Sequence, residues 1–190
     1  MNFKEYKERM KDKPYCETLE YARAVMWLHP ETLPLSVVSI GEEYPAVIKI
    51  PDHAINRYGR KVPVIAISRN AFAGHDKVTD IVLPSTIGKI AMGAFAGCSE
   101  LKRITIPKSV KSIREGTFDG CGDLEDVHYE GTKGEWEKIN IIHQKHIIEF
   151  GPLIPGTPVH EIESDRLLHV PGNDALLMCN IHFCCTPSDL

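Results

Sequence analysis

The sequence predicts an α/β repeat solenoid, a right-handed coil of short strands capped by an N-terminal helix and by a C-terminal helix plus hairpin. Three observations predict it. Between Val62 and Ile141, small and apolar residues return every 23 positions, so that Phe72, Phe95 and Phe118 share one slot and Gly74, Gly97 and Gly120 another. Five further slots keep the same spacing without drift: Val64, Ile87 and Val110; Ile67, Ile90 and Ile113; Val78, Leu101 and Leu124; Ile81, Ile104 and Val127; Leu83, Ile106 and Tyr129. Within each period a stretch such as Leu101-Lys102-Arg103-Ile104-Thr105-Ile106-Pro107 alternates apolar and polar residues, as a short strand with one face in a core does, and proline ends it. A unit of this length cannot bury its apolar residues alone, so it stacks on its neighbours.

The chain divides into a helical cap over residues 1–34, a solenoid over 35–141 and a C-terminal cap over 142–190, all within one structural domain. In the first part, Leu19, Ala22 and Met26 follow Pro14-Tyr15 at helical spacing until His29-Pro30, which predicts a helix across the first rung. Leu35 to Ile40 and Ala46 to Ile50 read as a hairpin turning through Gly41-Glu42-Glu43-Tyr44-Pro45. The second of these strands is also a disguised rung, since Ile48-Lys49-Ile50-Pro51 mirrors Ile81-Val82-Leu83-Pro84. Ten extra residues then loop out around Asn56-Arg57-Tyr58-Gly59-Arg60-Lys61, which has the composition either of a contact site or of a solvated insertion.

Past Tyr129, Thr132 and Glu135 stand at capping-box spacing and predict a short helix bearing Trp136 and Ile139 over the last rung. Residues 151–158, rich in Pro and Gly, interrupt regular structure. Beyond them Arg166 to Val170 and Ala175 to Phe183 flank Pro171-Gly172-Asn173-Asp174 and read as a closing hairpin.

The pattern Phe95-Ala96-Gly97-Cys98-Ser99-Glu100-Leu101-Lys102-Arg103-Ile104-Thr105-Ile106-Pro107 resembles the BspA-type leucine-rich repeats, a leucine-rich-repeat-like coil. The resemblance covers roughly half of the chain and rests on several slots repeated three times. It implies a non-catalytic binding role toward another protein, on a family that is mostly bacterial and found at the cell surface.

Composition narrows the partner. With 22 basic and 26 acidic residues the formal charge is −4, which offers no broad basic field for nucleic acid or anionic lipid. No apolar run is long enough for a membrane span, and the start of the sequence lacks a signal-peptide core, so the expected location is cytoplasmic, with the cell surface or secretion as the family-based alternative. The six cysteines lack the dense spacing of a secreted disulfide scaffold. Cys98 and Cys121 share a slot on adjacent rungs, about 4.8 Å apart, where either a disulfide or two buried thiols would fit.

No motif of nucleotide binding, serine hydrolysis or zinc proteolysis occurs, and the chain is expected to be neither an enzyme nor a cofactor binder. The rival reading is a hydrolase or metal-binding protein whose site, in the C-terminal region, is assembled from His143, His146, His160, Cys179 or His182. Against it, Cys179 and His182 would point to opposite faces of a strand. The favoured contact surface is the strand face, where Asp80, Arg103 and Asp126 form one outward column and Val82, Thr105 and His128 the next. Asp80, Arg103, Thr105, Asp126 and His128 are the expected partner-binding residues, and Arg103→Glu is expected to leave the fold largely intact.

Overall fold

The computed structural model describes residues 5, 8, 9, 13–23, 34–142, 173 and 175–183, and in it the 23-residue period becomes two ladders of short strands. One ladder contains β1 (Leu19–Arg23), β2 (Leu35–Ile40), β5 (Lys61–Ile67), β7 (Lys89–Ile90), β9 (Ser112–Ile113) and β11 (Asn140–Ile141), in that order. The other runs from β3 (Val47–Lys49) through β6 (Asp80–Val82), β8 (Arg103–Ile106) and β10 (Asp126–Tyr129) to β12 (Asn180–Phe183). Successive rungs pair in parallel at the repeat interval: Ile81 lies beside Ile104 and Ile104 beside Val127, while Ile90 joins Ile67 to Ile113. The result is a leucine-rich-repeat-like fold, mostly strand, with few and short helices among the described residues.

Every apolar repeat slot named above is buried. The three phenylalanines stack as a spine, with ring centroids 5.4 Å apart for Phe72 and Phe95 and 5.5 Å for Phe95 and Phe118. Around that spine the backbone turns through Gly74, Gly97 and Gly120, whose φ angles of 75°, 74° and 72° lie in the left-handed region that favours glycine. The corners also bond between rungs: the N–H of Phe72 donates to Ala94 O at 2.8 Å, and that of Phe95 to Thr117 O at 2.9 Å.

The start of the chain corrects two sequence expectations. Where a capping helix is expected from Tyr15, Leu19–Arg23 is a strand, paired antiparallel with β2; residues 24–33 lie outside the described residues. The reason is the open edge of β2, whose unpaired backbone groups are satisfied by a strand and could not be by a helix. Leu19 and Tyr21 pack inward at period two, a spacing that the helical reading of Leu19, Ala22 and Met26 passed over. Likewise β2 and β3 do not pair as a hairpin, because β2 pairs in parallel with β5 and β3 with β6. They are the two strands of a complete first rung, so Ile48 takes the slot of Ile81, as its sequence predicts.

The ten inserted residues are themselves ordered. β4 (His53–Ile55) pairs antiparallel with the start of β5, placing Ile55 beside Lys61 and making a small hairpin on the flank of the first ladder.

At the other end, helix α1 (Lys133–Trp136) has the capping box read from sequence: the Glu135 N–H donates to Thr132 Oγ1 at 3.3 Å, and the Thr132 N–H to Glu135 Oε2 at 2.9 Å. Trp136 meets Tyr129 edge to face at 5.1 Å, and Ile139 is buried. The closing hairpin is corrected in its second arm. Ala175–Met178 is a helical turn, α2, and the strand that follows is β12, paired in parallel with β10; the first arm, 166–170, lies outside the described residues. β12 thus adds a strand to the ladder although Asn180 stands 54 residues after its partner Asp126, where the period asks for 23.

Candidate interaction surface

The parallel register sets Asp80, Arg103, Asp126 and Asn180 side by side, and Val82, Thr105, His128 and His182 in the next column. The columns expected from sequence therefore form, and β12 extends each by one residue. Their exposure is not as expected. Asp80, Thr105, Asp126 and His128 are buried, at 3%, 6%, 8% and 0% of full exposure, so of the five expected contact residues Arg103 alone reaches solvent.

Charge pairing accompanies that burial. Arg103 donates from Nε to Asp80 Oδ1 at 2.8 Å, and Arg9 approaches the same oxygen from Nη2 at 3.3 Å. His182 Nε2 donates to Asp126 Oδ1 at 2.7 Å, and its ring stacks on that of His128 with centroids 4.9 Å apart. Burial pushes the Asp126 carboxyl up, but the His182 hydrogen bond and the neighbouring imidazoles outweigh it and hold the group below the usual carboxylate range. For His128 burial and the adjacent His182 act together and push the imidazole down to about 4.

Arg103→Glu is consequently no neutral probe. It would set a carboxylate against buried Asp80 and remove its 2.8 Å partner, leaving Arg9, at 3.3 Å and partly exposed, as the cation that remains on that oxygen.

Of the two alternatives for Cys98 and Cys121, the structure has the buried thiols and not the disulfide. Both are free thiols, and each donates across one rung to a carbonyl of the spine, Cys98 to Phe72 O and Cys121 to Phe95 O, both at 3.1 Å. Burial is the main cause that pushes each thiol up to about 12.

Of the residues in the metal-centred reading, His143, His146 and His160 lie outside the described residues. Cys179 bonds to Leu176 O at 3.6 Å while His182 bonds to Asp126, so the two do not converge. Among the described residues no group of three His, Cys, Asp or Glu side chains could hold a metal ion.

Two features escaped the sequence reading. One was detectable: Asn180-Ile181-His182-Phe183 matches Asp126-Val127-His128-Tyr129 position by position, but a search at a fixed period does not reach a copy displaced so far. The other is Asn173, read from sequence as a turn residue. It is fully buried; its Oδ1 accepts from the Phe118 N–H at 3.2 Å, and its Nδ2 donates to Arg114 O at 2.8 Å and Ile142 O at 2.9 Å. Phe118 has the N–H that on earlier rungs bonds to the next corner, so one side chain serves where a rung would otherwise continue.

Residues 65–142 match the BspA type leucine rich repeat region, in six copies, and the repeats are of that type. Among solved structures, a leucine-rich repeat protein from Bacteroides ovatus superposes with a TM-score of 0.51 at 31% identity, covering 63% of this chain and 32% of that one. T. pallidum leucine rich repeat protein gives 0.49 at 23% identity, over 64% of this chain and 54% of that one. A leucine-rich repeat protein from Bacteroides capillosus gives 0.49 at 21% identity, over 59% and 82%. The chain thus spans about a third of the first of these proteins and about half of the second. No curated protein is a significant match in sequence.

Proposed function

We propose that this chain is a non-catalytic protein-interaction module that engages its partner along the ladder of β6, β8 and β10. The observation that carries the reading is the registered column: rungs that repeat at a fixed interval set unlike side chains in rows, an extended surface of the kind repeat coils use to bind other proteins. Its repeats are of a type whose role is interaction, which supports the same reading. Within the column Arg103 makes the contact, because it is central and half-buried, with a planar fork of donors. Asp80, Thr105, Asp126 and His128 hold that surface in shape from beneath.

The reading accommodates either the cytoplasm or the cell surface as the setting, since Cys98 and Cys121 are shielded by the core from oxidants in both. No helix among the described residues is long and apolar enough to cross a membrane.

Arg103→Lys tests the contact. It keeps the charge beside Asp80 and removes the fork, so the melting temperature should change little. Affinity for a partner captured from native extract should fall by about tenfold, the equivalent of 1.4 kcal/mol. Unchanged affinity in the folded variant would remove the ladder from the binding surface.

A further inference from the structure

The insertion between Pro51 and Val64 is spent on a finger, not on slack. His53–Ile55 and the start of β5 pair antiparallel, with Ala54 opposite Val62. Asn56 closes the tip: its Oδ1 accepts from the N–H groups of Tyr58 and Arg60 at 2.9 and 3.1 Å, and its own N–H donates to Arg60 O at 2.9 Å. Gly59, at φ 73°, completes the turn. The base is tied to the coil through the Val64 N–H, which donates to Asp52 O at 2.8 Å.

The tip presents apolar and cationic side chains together. Ile55 is 64% and Tyr58 43% exposed, although the fold gains nothing from apolar groups left in water. The Arg57 guanidinium lies over the Tyr58 ring at 4.9 Å and donates to its hydroxyl at 2.7 Å, so the two side chains hold each other at the tip. Exposed Lys61 stands across the ladder from Ile55. Between His53 and Lys61 there is no carboxylate, in a chain whose net charge is −4.

Cations select an acidic partner. An aliphatic side chain and a ring beside them select one that also offers apolar side chains, which a protein supplies and a sulfated glycan does not. The order already present at the tip lowers the entropy that binding would cost. We propose that this hairpin finger docks an acidic segment of a partner protein that also carries apolar side chains, through Ile55, Arg57, Tyr58 and Lys61. The proposal rests on the protein-binding reading above and gives the partner its chemistry, at a surface on the other ladder from Arg103.

The test uses the full chain and a fluorescent random copolymer of glutamate and tyrosine, with heparin and single-stranded DNA as polyanions of other kinds. The chain should bind the copolymer more tightly than either polyanion. Arg57→Glu with Lys61→Glu should weaken copolymer binding by about tenfold, and Ile55→Ser with Tyr58→Ala by about threefold or more. Lys77→Glu with Lys89→Glu, an equal charge change at exposed sites elsewhere, should weaken it by less than about twofold. Thermal melts should show all three variants folded; if the glutamate pair is not, Arg57→Gln with Lys61→Gln replaces it.

No binding to the copolymer, an equal loss in the Lys77 and Lys89 variant, or tighter binding to heparin or DNA would each overturn the proposal. Arg103→Lys is measured against the native partner and acts on the other ladder, so a failed finger leaves that result standing.

Discussion

Phe95 has a ring stacked on each of its faces and no exposed surface, so its removal would open a cavity shared by three rungs. Phe95→Ala should cost about 3 to 5 kcal/mol, read as a fall in the urea midpoint with little change in slope. This slot was legible because its burial follows from period alone. The columns were legible in register but not in exposure, since alternation places Asp80 and His128 on the face opposite the core and is silent on what else packs there. Their burial has a consequence in pH. His128 titrates near 6.5 in the unfolded chain and at about 4 in the folded one, so between those values the unfolded state binds more protons. Its contribution is therefore complete above pH 6.5 and is lost as the pH falls toward 4. The lowered Asp126 carboxyl acts in the same direction below its ordinary value of 3.8. Melting temperatures measured from pH 7 to pH 4 should fall, and His128→Phe should flatten that slope.

At the scale of elements, what the sequence made legible was the interior of the array and what it hid was the ends. A rung inside the array has the same neighbours as the next, so one period describes them all. An end must satisfy backbone groups that have no next rung, and chain of any pattern can do so. Leu19–Arg23 does it as an antiparallel strand, β12 as a displaced copy of β10, and Asn173 with one amide. The helix α1 was readable because its signal, Thr132 and Glu135, is local. Asn173→Ala should strand the Phe118 N–H and loosen the last corner, at about 1 to 3 kcal/mol for each buried group left without a partner. Hydrogen exchange at the Phe118 amide should rise well ahead of that at Phe95, and equal protection of the two in the variant would take the capping role from Asn173.

Across the whole molecule, each rung bonds to the rung before and the rung after, and the closing segments touch the terminal rungs. The number of rungs is then a free variable, but the Asp80, Arg103 and Asp126 column gives it a parity. Repeating residues 85–107 once in tandem would place Arg103 beside its own copy, with Asp126 after it, and like charges directly opposite are unfavourable. Repeating residues 85–130 inserts two rungs and restores the order of acid, base, acid, while the new last copy of Asp126 still meets His182 and that of Phe118 still meets Asn173. The longer chain should fold about 10 Å taller, at two strand spacings of about 4.8 Å, and melt at or above the parent temperature. The single-rung chain should melt below it. A ladder written in alternating charge grows by twos.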